Sequence, residues 1–151
     1  MIPPAMVDLL QTGVSVVVGT RDANLMPECT RAWGIRIGKD RSTVTIFLTE
    51  AISQKTLQNL RENGLVAISC TRPTDHVACQ LKGRLRAIRP VNQRDQEHSK
   101  TWHREFIGEL VAIGVPPETG EALITEPALA VEVDVIDVFH QTPGPGTGEK
   151  M

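Results

Sequence analysis

The stretch TVTIFLTEAISQKTLQNLREN, residues 43–63, carries the strongest structural signal in the chain. Its first six residues, Thr43–Leu48, are mostly β-branched or aromatic and predict a strand. Residues Thr56–Asn63 have leucines on one face, and Gly64 follows where a helix is expected to end. The sequence therefore predicts a strand, a short loop ending at the N-cap residue Ser53, and a helix.

The start of this predicted helix has the features of an anion site. Lys55 falls at the second helical position, where the helix dipole is positive and a cation is disfavoured. A lysine, the Ser53 hydroxyl and free backbone N–H groups at one helix start suit phosphate. A solvated lysine on a short surface helix is the alternative that the spacing leaves open.

Composition limits the function classes that remain. The chain has 151 residues, 16 basic and 18 acidic side chains, a net charge of −2 and no tyrosine, which argues against a nucleic-acid-binding surface. Its 151 residues fit one domain, 1–151.

We expect no disulfides, because the three cysteines, Cys29, Cys70 and Cys79, are odd in number and lack CxxC spacing. We expect no metal site either, because His98 and His103 do not share a helix face. With no apolar leader at the N-terminus, we expect a cytoplasmic protein.

Most of the remaining sequence is typical of an antiparallel β protein. The predicted strands are Gly13–Gly19, Cys29–Ile37, Thr43–Leu48, Leu65–Thr71, His76–Ile88 and Ala128–Phe139, with helices through Leu10 and over Val91–Ile113. The second of these helices carries an apolar stripe, which we expect in the core: Trp102, Phe106, Leu110 and Ile113. In the last strand the apolar alternation changes phase between Val135 and Ile136, which predicts a bulge. The even spacing predicts a mainly β fold, a six-stranded antiparallel split β-barrel with peripheral helices.

From Val16 to about Ile88 the chain resembles the FMN-binding split barrel of the pyridoxamine 5′-phosphate oxidase family. The matching elements, in order, are Pro27, Arg31, Phe47-Leu48-Thr49, Ser53-x-Lys55, Asn63-Gly64 and Gln80-Leu81-Lys82-Gly83. The resemblance implies FMN as cofactor, with its phosphate held in the loop from Thr49 to Lys55. The implied cofactor-binding residues are Arg31, Arg36, Leu48, Thr49, Ser53, Gln54, Lys55 and Gln80. Surface arginines and a solvated glutamine are the alternatives for Arg31, Arg36 and Gln80.

Two departures from the family pattern bear on the substrate. Gln54 stands where the true oxidases have a second basic residue, so the resemblance implies weaker FMN binding. Residues Val138–Thr142 stand where those enzymes have a basic motif for the substrate phosphate. The implied protein is therefore a small member of the family that does not act on vitamin B6.

Two function classes follow from this resemblance. The first is an FMN-dependent oxidoreductase that passes hydride or electrons between a reduced donor and a small acceptor. The second is a non-catalytic flavin- or haem-binding module. No catalytic acid or base is evident, and His140 is either near the site or an ordinary surface histidine.

We also expect a homodimer with FMN at the subunit interface, because so small a barrel has little interior room for the flavin ring. The tail Pro143–Gly148 is expected to reach the partner subunit.

Overall fold

The computed structural model describes all 151 residues as one curled, antiparallel seven-stranded sheet with four helices. The strands are β1 Ser15–Arg21, β2 Pro27–Ala32, β3 Ile35–Ile37, β4 Thr43–Leu48, β5 Leu65–Thr71, β6 Ala78–Pro90 and β7 Leu129–His140. The helices are α1 Pro4–Leu10, α2 Gln54–Asn63, α3 Gln93–Ala112 and α4 Pro117–Leu123, and a single 3₁₀ turn covers Glu50–Ile52. The predicted split barrel is confirmed, with seven strands where the sequence predicts six. No helix of the chain is long and apolar enough to span a lipid bilayer.

The additional strand arises from a break in the predicted strand Cys29–Ile37. Gly34 has a φ of 127°, a backbone conformation that favours glycine, and it separates β2 from β3. These two strands lie at opposite ends of the sheet, whose order is β2-β1-β5-β6-β7-β4-β3. At the break, the Trp33 N–H donates to the Phe47 carbonyl at 2.8 Å, and the Phe47 N–H donates to the Gly34 carbonyl at 3.3 Å. The bend at Gly34 therefore brings the two edges of the sheet together.

Helix α2 packs against the end of the barrel formed by β1, β2 and β5. Leu57 and Leu60, the predicted apolar face, are 2% and 1% exposed and belong to the main core. Burial of each is worth about 1.5–3 kcal/mol. The Asn59 side-chain amide adds a hydrogen bond to Thr20 Oγ1 at 3.1 Å. Helix α2 is therefore held in a fixed position relative to β1.

The bulge predicted in the last strand is confirmed. Lys82 pairs with Asp137 and Gly83 pairs with Val135, so Ile136 is the extra residue on β7. Its side chain is 55% exposed, as expected for a residue that the bulge turns out of the core. Position 83 admits only glycine, since a Cβ there would lie 2.3 Å from the Asp134 carbonyl oxygen.

The two C-terminal helices agree with the sequence only in part. Helix α3 lies within the predicted segment, and Trp102 and Phe106 are buried, but Ile113 is 51% exposed just beyond the helix end. The prediction that Ile113 belongs to the core is therefore wrong. Helix α4 has no clear signal in the sequence, because it is only seven residues long and mostly polar.

The C-terminal tail folds back on its own subunit. The Met151 N–H donates to the Val138 carbonyl at 2.8 Å, and the His140 N–H donates to the Glu149 carbonyl at 2.9 Å. Strand β4 pairs with β7 only as far as Asp134, so the later half of β7 has a free edge that the tail covers. Residues 143–148 form the mostly exposed turn of this return, and their contact with a partner subunit stays a prediction.

Candidate functional site

Ser53 occupies the N-cap position of α2, but its side chain does not cap the helix. The hydroxyl instead lies 3.2 Å from Thr30 Oγ1, and the residue is 1% exposed. Thr30 also donates to the Ile52 carbonyl at 3.3 Å. The predicted side-chain cap is therefore wrong, and the first-turn N–H groups of α2 have no side-chain acceptor. A helix start of this kind favours an anion.

Lys55 lies on the first turn of α2 with its side chain 43% exposed. Its ammonium group is 3.7 Å from Asp22 Oδ2, in the turn between β1 and β2. The pKa of Asp22 is lowered, first by a hydrogen bond from the Met26 N–H and further by the Asn24 N–H and Lys55. A pair 3.7 Å apart whose lysine is exposed to solvent is weak, so Lys55 can leave Asp22 for a stronger anion at small cost.

The residues next to the loop have other partners. Thr49 Oγ1 lies 2.8 Å from Thr125 Oγ1 and 3.2 Å from the Glu126 carbonyl, before β7. Leu48 is fully buried, and its carbonyl accepts the Ala128 N–H at 2.9 Å. Gln54 is exposed at the first position of α2. Among these three, only Gln54 faces solvent beside Lys55.

Arg31 and Gln80 share the outer surface of the barrel. Successive cross-strand partners form one row of outward side chains, Arg31, Val17, Ser69, Gln80 and Phe139. The adjacent row consists of Cys29, Gly19, Ala67, Lys82 and Asp137. We call these two rows the outer face. Its centre carries small side chains, and Gly19, Ala67, Lys82 and Asp137 of the second row line a depression in it.

Arg31 and Gln80 in the first row are each hydrogen-bonded to a serine. Arg31 Nη1 donates to Ser15 Oγ at 2.8 Å. Gln80 Nε2 donates to Ser69 Oγ at 3.1 Å. Three strand-to-strand steps of about 4.8 Å separate the two backbones, a distance of roughly 14 Å. Arg31 and Gln80 are therefore on one surface without being in contact.

Arg36 is positioned away from α2. Its Nη1 donates to Asp95 Oδ1 at 2.7 Å, and its guanidinium lies 5.5 Å from the centre of the Phe47 ring. Asp95 has no exposed side-chain surface and also accepts a hydrogen bond from Arg89. Burial raises the pKa of Asp95, but hydrogen bonds from Arg89, the Asn92 N–H and Arg36 outweigh it and hold that pKa well below its usual range. Arg36 therefore belongs to a charged network at the start of α3.

Two contacts of the site could not be singled out from the sequence. Thr30 binds Ser53 across 23 positions of the chain, and three strands, β2 to β4, lie between Asp22 and its partner Lys55. Their residue types give no local signal, since a threonine in a strand and an aspartate in a turn are ordinary. Only the packing of α2 against β1 and β2 brings them to the loop.

Comparison with solved structures shows the same architecture in several proteins. HupZ of Group A Streptococcus has a TM-score of 0.61 and 17% identity, over 98% of this chain and all of that one. An F420 reductase has a TM-score of 0.60 and 14% identity, over 91% of this chain and 98% of that one. A pyridoxamine 5′-phosphate oxidase-related, FMN-binding protein from Nostoc punctiforme has a TM-score of 0.53 and 13% identity, over 96% of this chain and 87% of that one.

The chain has the fold of the pyridoxamine 5′-phosphate oxidase-related proteins. No family profile matches the sequence. No curated protein matches it either. At these identities the likeness establishes the split barrel, as the resemblance of residues 16–88 predicts, and leaves the cofactor and the reaction to be argued from the site.

Proposed function

We propose that the protein is an FMN-binding flavoprotein that acts as an oxidoreductase on a small molecule. The observation that carries the proposal is the uncapped start of α2 bearing Lys55, in a fold that an FMN-binding protein shares. The donor set suits the phosphate of FMN, since backbone N–H groups and an ammonium group are its usual ligands. An F420 reductase shares the fold, so the barrel is compatible with oxidoreductase chemistry.

In this proposal the phosphate binds at the first turn of α2. The N–H groups of Gln54 and Lys55 donate to it, and the Lys55 ammonium turns from Asp22 to the phosphate. The Thr30–Ser53 contact fixes the loop before FMN binds, so binding costs little conformational entropy in the loop. Thr49 and Leu48 support the loop through the segment before β7. Arg36 is not part of the proposed site, because the buried Asp95 holds it elsewhere.

The flavin ring rests on the outer face, between Arg31 and Gln80. Val17 and Ser69 lie between them in the same row and leave room for a planar group. Bound FMN supplies hydride or electron transfer, while these residues bind it and set its orientation. A single outer face leaves the ring's other side in water, so we propose that a second copy of the chain covers it as a homodimer.

Comparison of FMN with riboflavin tests the proposal, because riboflavin lacks only the phosphate. Titration of the flavin-free protein should quench the fluorescence of FMN at one site per chain. Riboflavin should bind at least tenfold more weakly, given about 1.5–3 kcal/mol for a charge-assisted contact. Equal binding of the two flavins would exclude a phosphate site at α2. Loss of the yellow colour of bound FMN on addition of NADH or NADPH then tests the proposed oxidoreductase activity. A Soret band on addition of haem, without any binding of flavin, would favour the haem-binding module instead.

A further inference from the structure

A cavity of about 580 Å³ opens between the Arg31 end of the outer face and the C-terminal ends of α3 and α4. Its apolar wall consists of Trp33, Ile52, Phe106, Leu110, Ile113 and Leu123. A volume in this range is typical of pockets that hold one small molecule. The proposed FMN phosphate site does not use any of these six side chains.

Three of the six residues of the apolar wall are exposed. Ile52, Ile113 and Leu123 are 53%, 51% and 56% exposed, and they account for three of the nine exposed large hydrophobic side chains in the protein. They come from the 3₁₀ turn, the residue after α3 and the end of α4, so only the fold brings them together. Apolar side chains gathered in this way at a concave surface indicate a binding site.

Arg31 gives the cavity its charge. It is the one arginine or lysine among the lining residues, and no aspartate or glutamate lines the cavity. The guanidinium donates to the Ser15 hydroxyl and has no carboxylate partner, whereas Arg36 pairs with Asp95 and Arg89 pairs with Asp95 and Glu132. A cation without a counter-charge beside an apolar wall favours an organic anion, and a guanidinium fork matches a carboxylate.

His76 is a second polar group at the cavity. It lies in the turn between β5 and β6 with a φ of 59°, a conformation uncommon for residues other than glycine. Strained positions of this kind are concentrated at ligand-binding sites. The imidazole adds a hydrogen-bonding group to a rim that otherwise has only hydroxyl groups beside Arg31.

We propose that this cavity binds a small organic carboxylate with an apolar body, whose carboxylate group pairs with Arg31. The apolar body lies against Trp33 and the exposed ends of α3 and α4. Because Arg31 borders both the cavity and the outer face, the bound anion lies beside the proposed flavin. Binding itself requires no flavin, so the site stands independently of the proposed function.

Calorimetric titration of the flavin-free, full-length protein with 2-naphthoate tests the proposal, with the uncharged 2-naphthamide as the matched ligand. The naphthoate should bind at least tenfold more tightly than the amide. Arg31→Gln should weaken naphthoate binding ten- to a hundredfold and leave amide binding unchanged. Arg61→Gln, an exposed arginine on α2 outside the cavity, should bind both ligands as the wild type does. Equal binding of the two ligands, or naphthoate binding unaffected by Arg31→Gln, would overturn the proposal.

A second variant locates the site. Ile113→Asp changes an exposed wall residue, so folding should be unaffected, and the new carboxylate should repel naphthoate and reduce its binding at least tenfold. Its mass by light scattering should equal that of the wild type. Unchanged naphthoate binding would place the ligand elsewhere. A change in oligomeric mass would show that a second copy of the chain covers the cavity. Unchanged naphthoate binding and a changed mass would each contradict the proposal.

Discussion

The hydroxyl oxygens of Thr30 and Ser53 lie 3.2 Å apart, and both residues are buried. This contact joins the edge strand β2 to the start of α2, and it diverts the serine from the capping role that its position suggests. The hydroxyl therefore contributes to holding the loop, while the helix N–H groups are left for another acceptor. The fold gives up a cap worth about 1 kcal/mol at this helix start.

Substitution of either hydroxyl should destabilise the protein. Thr30→Val leaves the buried Ser53 hydroxyl without a partner and should cost about 1–3 kcal/mol in the free energy of unfolding. Ser53→Ala should cost less, because the Thr30 hydroxyl still donates to the Ile52 carbonyl. The double variant should lose less free energy of unfolding than the two single variants together. In the double variant neither hydroxyl is left buried without a partner. Urea denaturation of the four proteins measures this difference. Strictly additive losses would show that the two hydroxyls do not interact.

Lys55→Ala should weaken FMN binding about ten- to a hundredfold and change riboflavin binding little, because only FMN carries the phosphate. The free energy of unfolding should stay within about 0.5 kcal/mol, since Lys55 is exposed and its contact with Asp22 is long. Lys39→Ala is the matched control, because Lys39 lies in the turn before β4 and away from α2. Fluorescence titration of the three proteins gives the affinities. If FMN binds equally to all three, Lys55 is not a ligand.

Asp95→Asn should reduce the free energy of unfolding by about 3–5 kcal/mol, because Arg36 and Arg89 lose the buried charge that they share. Asp8→Asn, an exposed aspartate on α1, should change it by less than about 0.5 kcal/mol. Chemical denaturation at neutral pH measures both effects.

The same variant has a defined dependence on pH. The folded-state pKa of Asp95 is depressed, so its contribution is complete above the unfolded-state pKa of about 3.9 and is lost as the pH falls below that value. The stability difference between wild type and Asp95→Asn should therefore be constant near neutrality and shrink below about pH 4. A difference that persists unchanged to pH 2 would mean that the charge of Asp95 is not what stabilises the network.

Ala67→Arg should convert the proposed homodimer to a monomer. Ala67 lies at the centre of the outer face, beside Gly19 and Lys82, where a long cation cannot be accommodated against a second copy. Light scattering should give the wild type twice the chain mass of 16.5 kDa and the variant that mass alone. Glu105→Arg, on the exposed side of α3, should keep the mass of the wild type. A wild-type mass of one chain would contradict the dimer.

Local patterns predict the individual strands well. The bounds of β4 and β5 are those expected from the sequence, and the change of phase at Ile136 marks the bulge. Each of these features depends on the alternation of neighbouring side chains, which the sequence displays directly. The break at Gly34 is different, because it depends on hydrogen bonds to Phe47 that form only when the barrel closes.

The site was less accessible to prediction than the fold. The Ser53-x-Lys55 spacing correctly placed a serine and a lysine at a helix start. The partners of these residues could not be inferred, since Arg36 meets Asp95 across 59 positions and Thr30 meets Ser53 across 23. A sequence motif shows which side chains are available, whereas the tertiary contacts decide which of them remain free for a ligand.

The returned C-terminal tail also bears on how the protein behaves when it is shortened or tagged. Residues 148–151 occupy the edge of β7 beyond Asp134, where Gly148 and Met151 donate to the carbonyls of His140 and Val138. A chain ending at His140 would present that edge to other molecules, and unprotected strand edges are sites of intermolecular sheet growth. Removal of the tail should therefore cause aggregation on storage, although every contact of the α2 loop remains in place. An affinity tag at the N-terminus avoids disturbing this edge.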